Sequence, residues 1–291
     1  MKVVVHGGAG SAPDEPEQRR ETLDEAASAG TDETDVVDAV VAAVNVLESD
    51  ERFNAGVGSA VQSDGVIRTD AGLMTSDREA GAAASMPGVE HAVDVARVVM
   101  DETPHVLVDG VHAVDLAADY GVETGVDLWT DDTRERWEDL ETRPEGSAKD
   151  HAEWVRERFG GSPDPRDHDT VGAVAFDGDD FAAATSTGGR WLALRGRVGD
   201  VPQIGSGFYA APAGAASATG AGEAIAKSTL TRRAVRYLED GLDAQAAAER
   251  SIEEFAELTG ESAGVVVLDR DGNAGEAYNS EAMQTSVSAS E

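Results

Sequence analysis

The chain has 291 residues, 41% of them hydrophobic, enough to bury one large domain or two small ones. Its 57 acidic residues face only 23 basic ones, a formal net charge of -34, so no basic patch is available to meet nucleic-acid phosphates. The lack of cysteine excludes disulfides, a thiol nucleophile and thiolate metal sites. No apolar run of about 18 residues could span a membrane, and MKVVVHGG lacks a secretory-signal pattern, so a cytoplasmic protein is expected.

In chain order, residues 2–6 (KVVVH) read as a buried strand entering the turn Gly7-Gly8-Ala9-Gly10. Helices are predicted over 16–29 and, opening at Thr34-Asp35, over DVVDAVVAAVNVLES, whose apolar residues recur at helical spacing. The glycines of Phe53–Gly58 imply a tight loop. Short strands are expected near Val61-Gln62, 66–68 and 80–85, then helices over 89–100 and 111–118. Residues 130–169 are dense in charge, Gly and Pro and read as a mobile linker holding at most one or two exposed helices.

Order returns at Thr170. Strands 170–176 and 181–185 flank Asp177-Gly178-Asp179-Asp180, a hairpin signal. A strand near 215–219 leads through Gly220-Ala221-Gly222 into a long helix over 223–239, and a second helix covers 243–258. GVVVLD and AGEAYN, joined by Arg270-Asp271-Gly272-Asn273, form a closing hairpin. Strand runs and helix pairs without strict alternation predict an α+β class and one domain.

A strand-opening threonine after a charged stretch is by itself only a β-propensity choice. Here, however, DTVGAVA is followed by TSTGG (185–189), GRVGD (196–200) and ATG (218–220), and preceded by HGGAG (6–10) and FNAG (53–56). With these motifs in order along nearly the whole chain, the sequence resembles the plant-type asparaginases and isoaspartyl peptidases among the threonine N-terminal-nucleophile hydrolases.

The resemblance implies a four-layer αββα sandwich and self-cleavage between Asp169 and Thr170, giving an α chain (1–169) and a β chain (170–291). It implies hydrolysis of L-asparagine or β-aspartyl dipeptides, with no organic cofactor. Cleavage would free the Thr170 α-amine, whose ordinary pKa of about 7.7–8.0 suits it as base for its own hydroxyl. By the same resemblance Thr187 supports the nucleophile, and Arg197 and Asp200 hold the substrate's α-carboxylate and α-ammonium. Thr219 and Gly220 supply the oxyanion donors, and Asn54 supports self-cleavage. A structural sodium ion is expected on the backbone carbonyls of Leu47, Glu48, Asp50, Phe53, Ala55 and Val57, and a dimer of αβ units is expected. His6 carries no assigned role.

The chain departs from the family pattern in lacking Asn-Lys before GRVGD and in placing Ser262-Ala263-Gly264 where relatives carry a glycine run. Both departures bear on substrate range, and a glycosylasparaginase-like activity is the near alternative. Gly260–Gly264 spells GxSxG, but a helix is expected before it and a strand after it, the reverse of a serine-hydrolase elbow. Gly220-Ala221-Gly222 with Lys227-Ser228 only partly matches a phosphate loop, leaving nucleotide binding as a distant alternative. The acidic surface, with only three lysines (Lys2, Lys149 and Lys227), resembles that of proteins from salt-accumulating halophiles, so a requirement for high salt is expected.

Overall fold

Two alternating buried faces organise the molecule. In the computed structural model, which describes residues 1–13, 15–159 and 170–290, seven strands form the larger sheet. They are β1 (Lys2–Gly10), β2 (Arg68–Thr75), β3 (Ala80–Pro87), β4 (Leu107–Asp109), β5 (Val171–Phe176), β6 (Phe181–Thr187) and β11 (Ala282–Ala289), in the order β11-β1-β5-β6-β2-β3-β4. The smaller sheet holds β7 (Phe208–Ala211), β8 (Gly214–Gly220), β9 (Ala263–Asp269) and β10 (Ala274–Tyr278), in the order β10-β9-β8-β7.

Because side chains alternate along a strand, each central strand serves two cores. Val3, Val5, Ala71, Leu73, Val171, Ala173, Ala182 and Ala184 join the core beneath α1 (Pro16–Thr31), α2 (Val36–Glu48) and α3 (Ala92–Glu102). Val4, Met74, Val174, Phe176, Phe181 and Ala183 face the smaller sheet, whose far side is covered by α8 (Leu230–Glu239) and α9 (Ala244–Thr259). Small residues let the sheets approach closely. At Gly72 a Cβ would overlap the Phe208 ring, and at Gly172 it would overlap Ser217 Oγ. The periodic run after Asp35 does form a helix, and the Asp35 carboxylate caps it by accepting from the N–H groups of Val37 (2.8 Å) and Asp38 (3.2 Å). Such a cap contributes about 1 kcal/mol.

Several elements differ from the sequence expectation. β1 does not turn at Gly7; it continues to Gly10 across an irregularity between His6 and Ala9, because β11 pairs with it on both sides of that irregularity. The strand expected over 66–68 instead begins at Arg68 and runs to Thr75 as β2, between β6 and β3, and the strand expected at Val61 is a single bridge to Ile67. The helix expected over 223–239 is two, α7 (Gly222–Ser228) and α8, broken where Thr229 takes the left-handed conformation (φ 53°). In the stretch read as a linker, α5 (Asp131–Glu138) and α6 (Ala148–Phe159) follow α4 (Gly110–Asp119), and Trp137 and Trp154 pack on the cluster of Val61, Ile67, Leu128 and Leu192. The two helices match the one or two expected there, and their partly buried tryptophans seat them on that cluster. Ser262 lies between α9 and β9, the order expected for a chance GxSxG. Among the described residues no helix is long and apolar enough to cross a membrane.

Candidate active site

The register of three strands builds the site. Val171 on β5 pairs with Ser186 on β6, so one step further Thr170 stands opposite Thr187, and Thr187 pairs in turn with Asp70 on β2. All three belong to the alternating set that faces the smaller sheet. Thr170 Oγ1 donates to Thr187 Oγ1 at 3.2 Å, and both side chains are buried. The Gly189 N–H donates to the same Thr187 oxygen at 3.1 Å.

The turn after Thr187 is fixed by Asn54. Its Nδ2 donates to the Gly189 carbonyl at 2.6 Å, its Oδ1 accepts from the Ala60 N–H at 2.8 Å, and its own carbonyl accepts from the Gly188 N–H at 2.8 Å. Asn54 thus acts on the loop beside the threonine pair. Asp169 lies outside the described residues.

Thr170, Thr187 and Gly220 line one cavity of about 660 Å³ together with Arg197 and Asp200. A Cβ on Gly222 would lie 2.7 Å from Asp200 Oδ1 and 2.8 Å from Arg197 Nη2, so guanidinium and carboxylate converge on the start of α7, where only glycine leaves room. Arg197 Nε donates to Glu223 Oε1 at 2.8 Å. Asp200 is buried, and its Oδ2 accepts no hydrogen bond among the described residues. Burial pushes its carboxyl up to about 7, with Arg197 partly opposing the shift. Asp70 is likewise pushed up to about 6 by burial, relieved by the Ser85 N–H at 2.6 Å and by Arg197. A buried, under-bonded carboxylate facing a cavity is a docking point for a cationic donor.

Thr219 is fully buried at the end of β8 and is not part of the cavity lining; Gly220 beside it is. Gly220 has φ 132° and its Cβ would meet the Ser262 carbonyl, so glycine is required there. His6 is fully buried, bonded through Nε2 to Ser217 Oγ at 2.8 Å, and driven down to about 3 by burial. It stays neutral and serves packing between the sheets. A larger cavity of about 820 Å³ lies beyond Asn54, between Arg19, Arg52, Arg136 and Trp191, and contains neither threonine of the pair.

Among the described residues no group of three or more His, Asp or Glu side chains could hold a metal. The loop from Leu47 to Val57 offers backbone oxygens instead. Gly56 (φ 54°) abuts the Glu48 carbonyl, and at Gly58 (φ 89°) a Cβ would crowd the carbonyls of Glu51 and Phe53. The Glu48 and Asp50 carbonyls also accept from the N–H groups of Val57 and Phe53.

The family model described as Asparaginase, of the asparaginase 2 type, matches residues 1–291. The chain belongs to the asparaginase 2 family. It is 40% identical to the plant-type L-asparaginase of Pyrococcus abyssi over 290 residues, covering 97% of this chain and 94% of that one. It is equally similar to the plant-type L-asparaginase of Pyrococcus furiosus, at 40% over 291 residues with the same coverage. The isoaspartyl peptidase/L-asparaginase of Bos taurus is 36% identical over 281 residues, covering 93% of this chain and 87% of its own.

Within this asparaginase 2 family chain, sequence reasoning missed Asp70 and Glu223. Glu223 follows the Gly220-Ala221-Gly222 turn directly, a signal that a carboxylate could face the site. Asp70 stands alone among buried small and apolar residues of β2, and only the pairing of β2 with β6 reveals its neighbours.

Proposed function

We propose that the chain matures by cleaving its Asp169–Thr170 bond and then hydrolyses L-asparagine and β-aspartyl dipeptides with Thr170 as nucleophile. The observation that supports this most is the hydroxyl pair Thr170–Thr187 in one cavity with Arg197 and the under-bonded Asp200. In maturation the Thr170 hydroxyl attacks the Asp169 carbonyl carbon, the C–N bond breaks, and water hydrolyses the ester, leaving a free amine on Thr170.

In turnover, Arg197 pairs with the substrate's α-carboxylate and Asp200 with its α-ammonium. The side-chain amide carbonyl then faces Thr170. The Thr170 amine takes the hydroxyl proton as Oγ1 attacks, and Thr187 orients that oxygen. The Gly220 N–H and the Thr219 hydroxyl meet the developing oxyanion, an interaction worth about 10²–10³ in rate per donor. The ammonium proton passes to the leaving amine, which departs as ammonia or as an amino acid. Water, deprotonated by the same amine, hydrolyses the aspartyl ester and restores Thr170.

The layers α1–α3, larger sheet, smaller sheet, α8–α9 make the αββα sandwich of N-terminal-nucleophile hydrolases the reading for the fold. Carbonyls of Leu47, Glu48, Asp50, Phe53, Ala55 and Val57 would hold a sodium ion, a hard cation suited to oxygen ligands, whose contribution would be to stiffen the loop carrying Asn54. The acidic surface suits a cytoplasm rich in salt, and αβ units are read as pairing into dimers. Replacing Thr170 tests the chemistry: Thr170→Ala should stay one uncleaved chain and release no ammonia from asparagine, and continued hydrolysis by that variant would refute the mechanism.

A further inference from the structure

The cavity extends well past the clamp. From Thr170 and Gly220 it continues along α7 to Lys227 and across to Leu258 at the end of α9. Its charge is unlike the rest of the protein. Four basic side chains (Arg190, Arg197, Lys227 and Arg233) and three acidic ones line it, in a chain of net charge -34.

The bases are not equivalent. Arg197 is held by Glu223, and Arg233 is engaged by Glu254 and by the Ser228 carbonyl at 2.6 Å. Lys227, one of only three lysines in the chain, is exposed and makes no ion pair or hydrogen bond among the described residues. Glu223, one helical turn before it on α7, is already committed to Arg197. A lysine in the last turn of a helix also offsets the helix dipole. That role gives no account of Leu258, which leaves 58% of its surface exposed on the same cavity wall.

We propose that Lys227 and Leu258 form a leaving-residue subsite for β-aspartyl dipeptides that carry an apolar second residue and a free C-terminal carboxylate. The inference rests on the clamp and nucleophile assigned under the proposed function. Asparagine is a zwitterion with no net charge, and Arg197 and Asp200 answer both of its ends. A β-aspartyl dipeptide adds one carboxylate, which needs one further cation, and Lys227 is the base with capacity left. The second side chain then covers Leu258. Glu261, exposed on the same wall, disfavours an acidic side chain there.

The test compares kcat/KM for β-aspartyl-leucine and for its C-terminal amide, at one ionic strength, in the mature wild type, Lys227→Ala and Lys227→Arg. The wild type should favour the acid by about fivefold, the upper end for one exposed charge pair. Lys227→Ala should bring the ratio to within about twofold, and Lys227→Arg should restore it. Equal rates on acid and amide in the wild type, or a preference that survives Lys227→Ala, would overturn the subsite. Ammonia release from asparagine by the wild type separates the two readings. With ammonia released and no acid preference, only the subsite fails; with no ammonia and no leucine released, the proposed function fails and takes the subsite with it.

Discussion

Adjacent hydroxyls on β6 serve opposite faces of one sheet, and the contrast between them separates a cavity wall from an enclosed packing site. Thr187 points toward the smaller sheet, where it bonds Thr170 and borders the cavity with Arg197 and Asp200. Ser186 points toward the helices and donates to Glu48, a fully buried carboxylate at the end of α2. Glu48 Oε1 also accepts from the Val93 N–H at 3.2 Å, and Oε2 lies 3.6 Å from His91 Nδ1. Burial raises the Glu48 carboxyl, while the contact with Glu48 raises His91. Both faces therefore bury carboxylates at a cost. Each acid keeps one oxygen without a hydrogen bond, Glu48 Oε2 and Asp200 Oδ2, but on the helix side the acid is enclosed by α2, α3 and β6, whereas on the sheet side Asp200 opens onto about 660 Å³.

The largest expected effect lies on the cavity side. Arg197→Ala removes the cation proposed for the α-carboxylate and takes the guanidinium away from Asp200 and Glu223. Asparagine kcat/KM should fall by about 10² or more, mainly through KM. Unchanged kinetics would remove Arg197 from the clamp.

On the helix side the expected loss is in stability. Glu48→Ala strands the Ser186 hydroxyl and the Val93 N–H, each at about 1–3 kcal/mol, so unfolding free energy should drop by about 2–6 kcal/mol in urea titrations. A loss below about 0.5 kcal/mol would mean this acid does not join helix to sheet.

The smallest effect, about tenfold, is a pH dependence that only the cavity side should show. Asp200 titrates near 7, so it is ionised above that pH and loses its charge as pH falls through it. An ammonium is held only by the ionised form. From about pH 8 to about pH 6 the ionised fraction, and with it kcat/KM for asparagine, should fall about tenfold, with the Thr170 amine adding to the decline. A flat profile over that range would separate Asp200 from ammonium binding.

The sequence made the regular parts of this contrast legible. The run after Asp35 carried α2 and its cap, and Asp177–Asp180 marked the turn between β5 and β6. β2 and β11 were not legible. RTDAGLMT and AMQTSVSA lack strong alternation; β2 is held between its neighbour β3 and the distant β6, and β11 pairs with β1 at the other end of the chain. The break at Thr229 was hidden because the local pattern is helical on both sides. Within the site, Thr170, Thr187, Arg197 and Asp200 were named through motifs. Asp70 owes its place to strand register and Lys227 to the direction of α7, which no local pattern reports, whereas Glu223 was signalled only by its position after the Gly220-Ala221-Gly222 turn.

The central claim is that one residue supplies both nucleophile and base, and intact mass spectrometry of purified, active protein tests it most directly. The account predicts two fragments, the smaller beginning Thr-Val-Gly from Thr170, in proportion to the ammonia-releasing activity. Full activity in a chain whose Asp169–Thr170 bond is unbroken would contradict it.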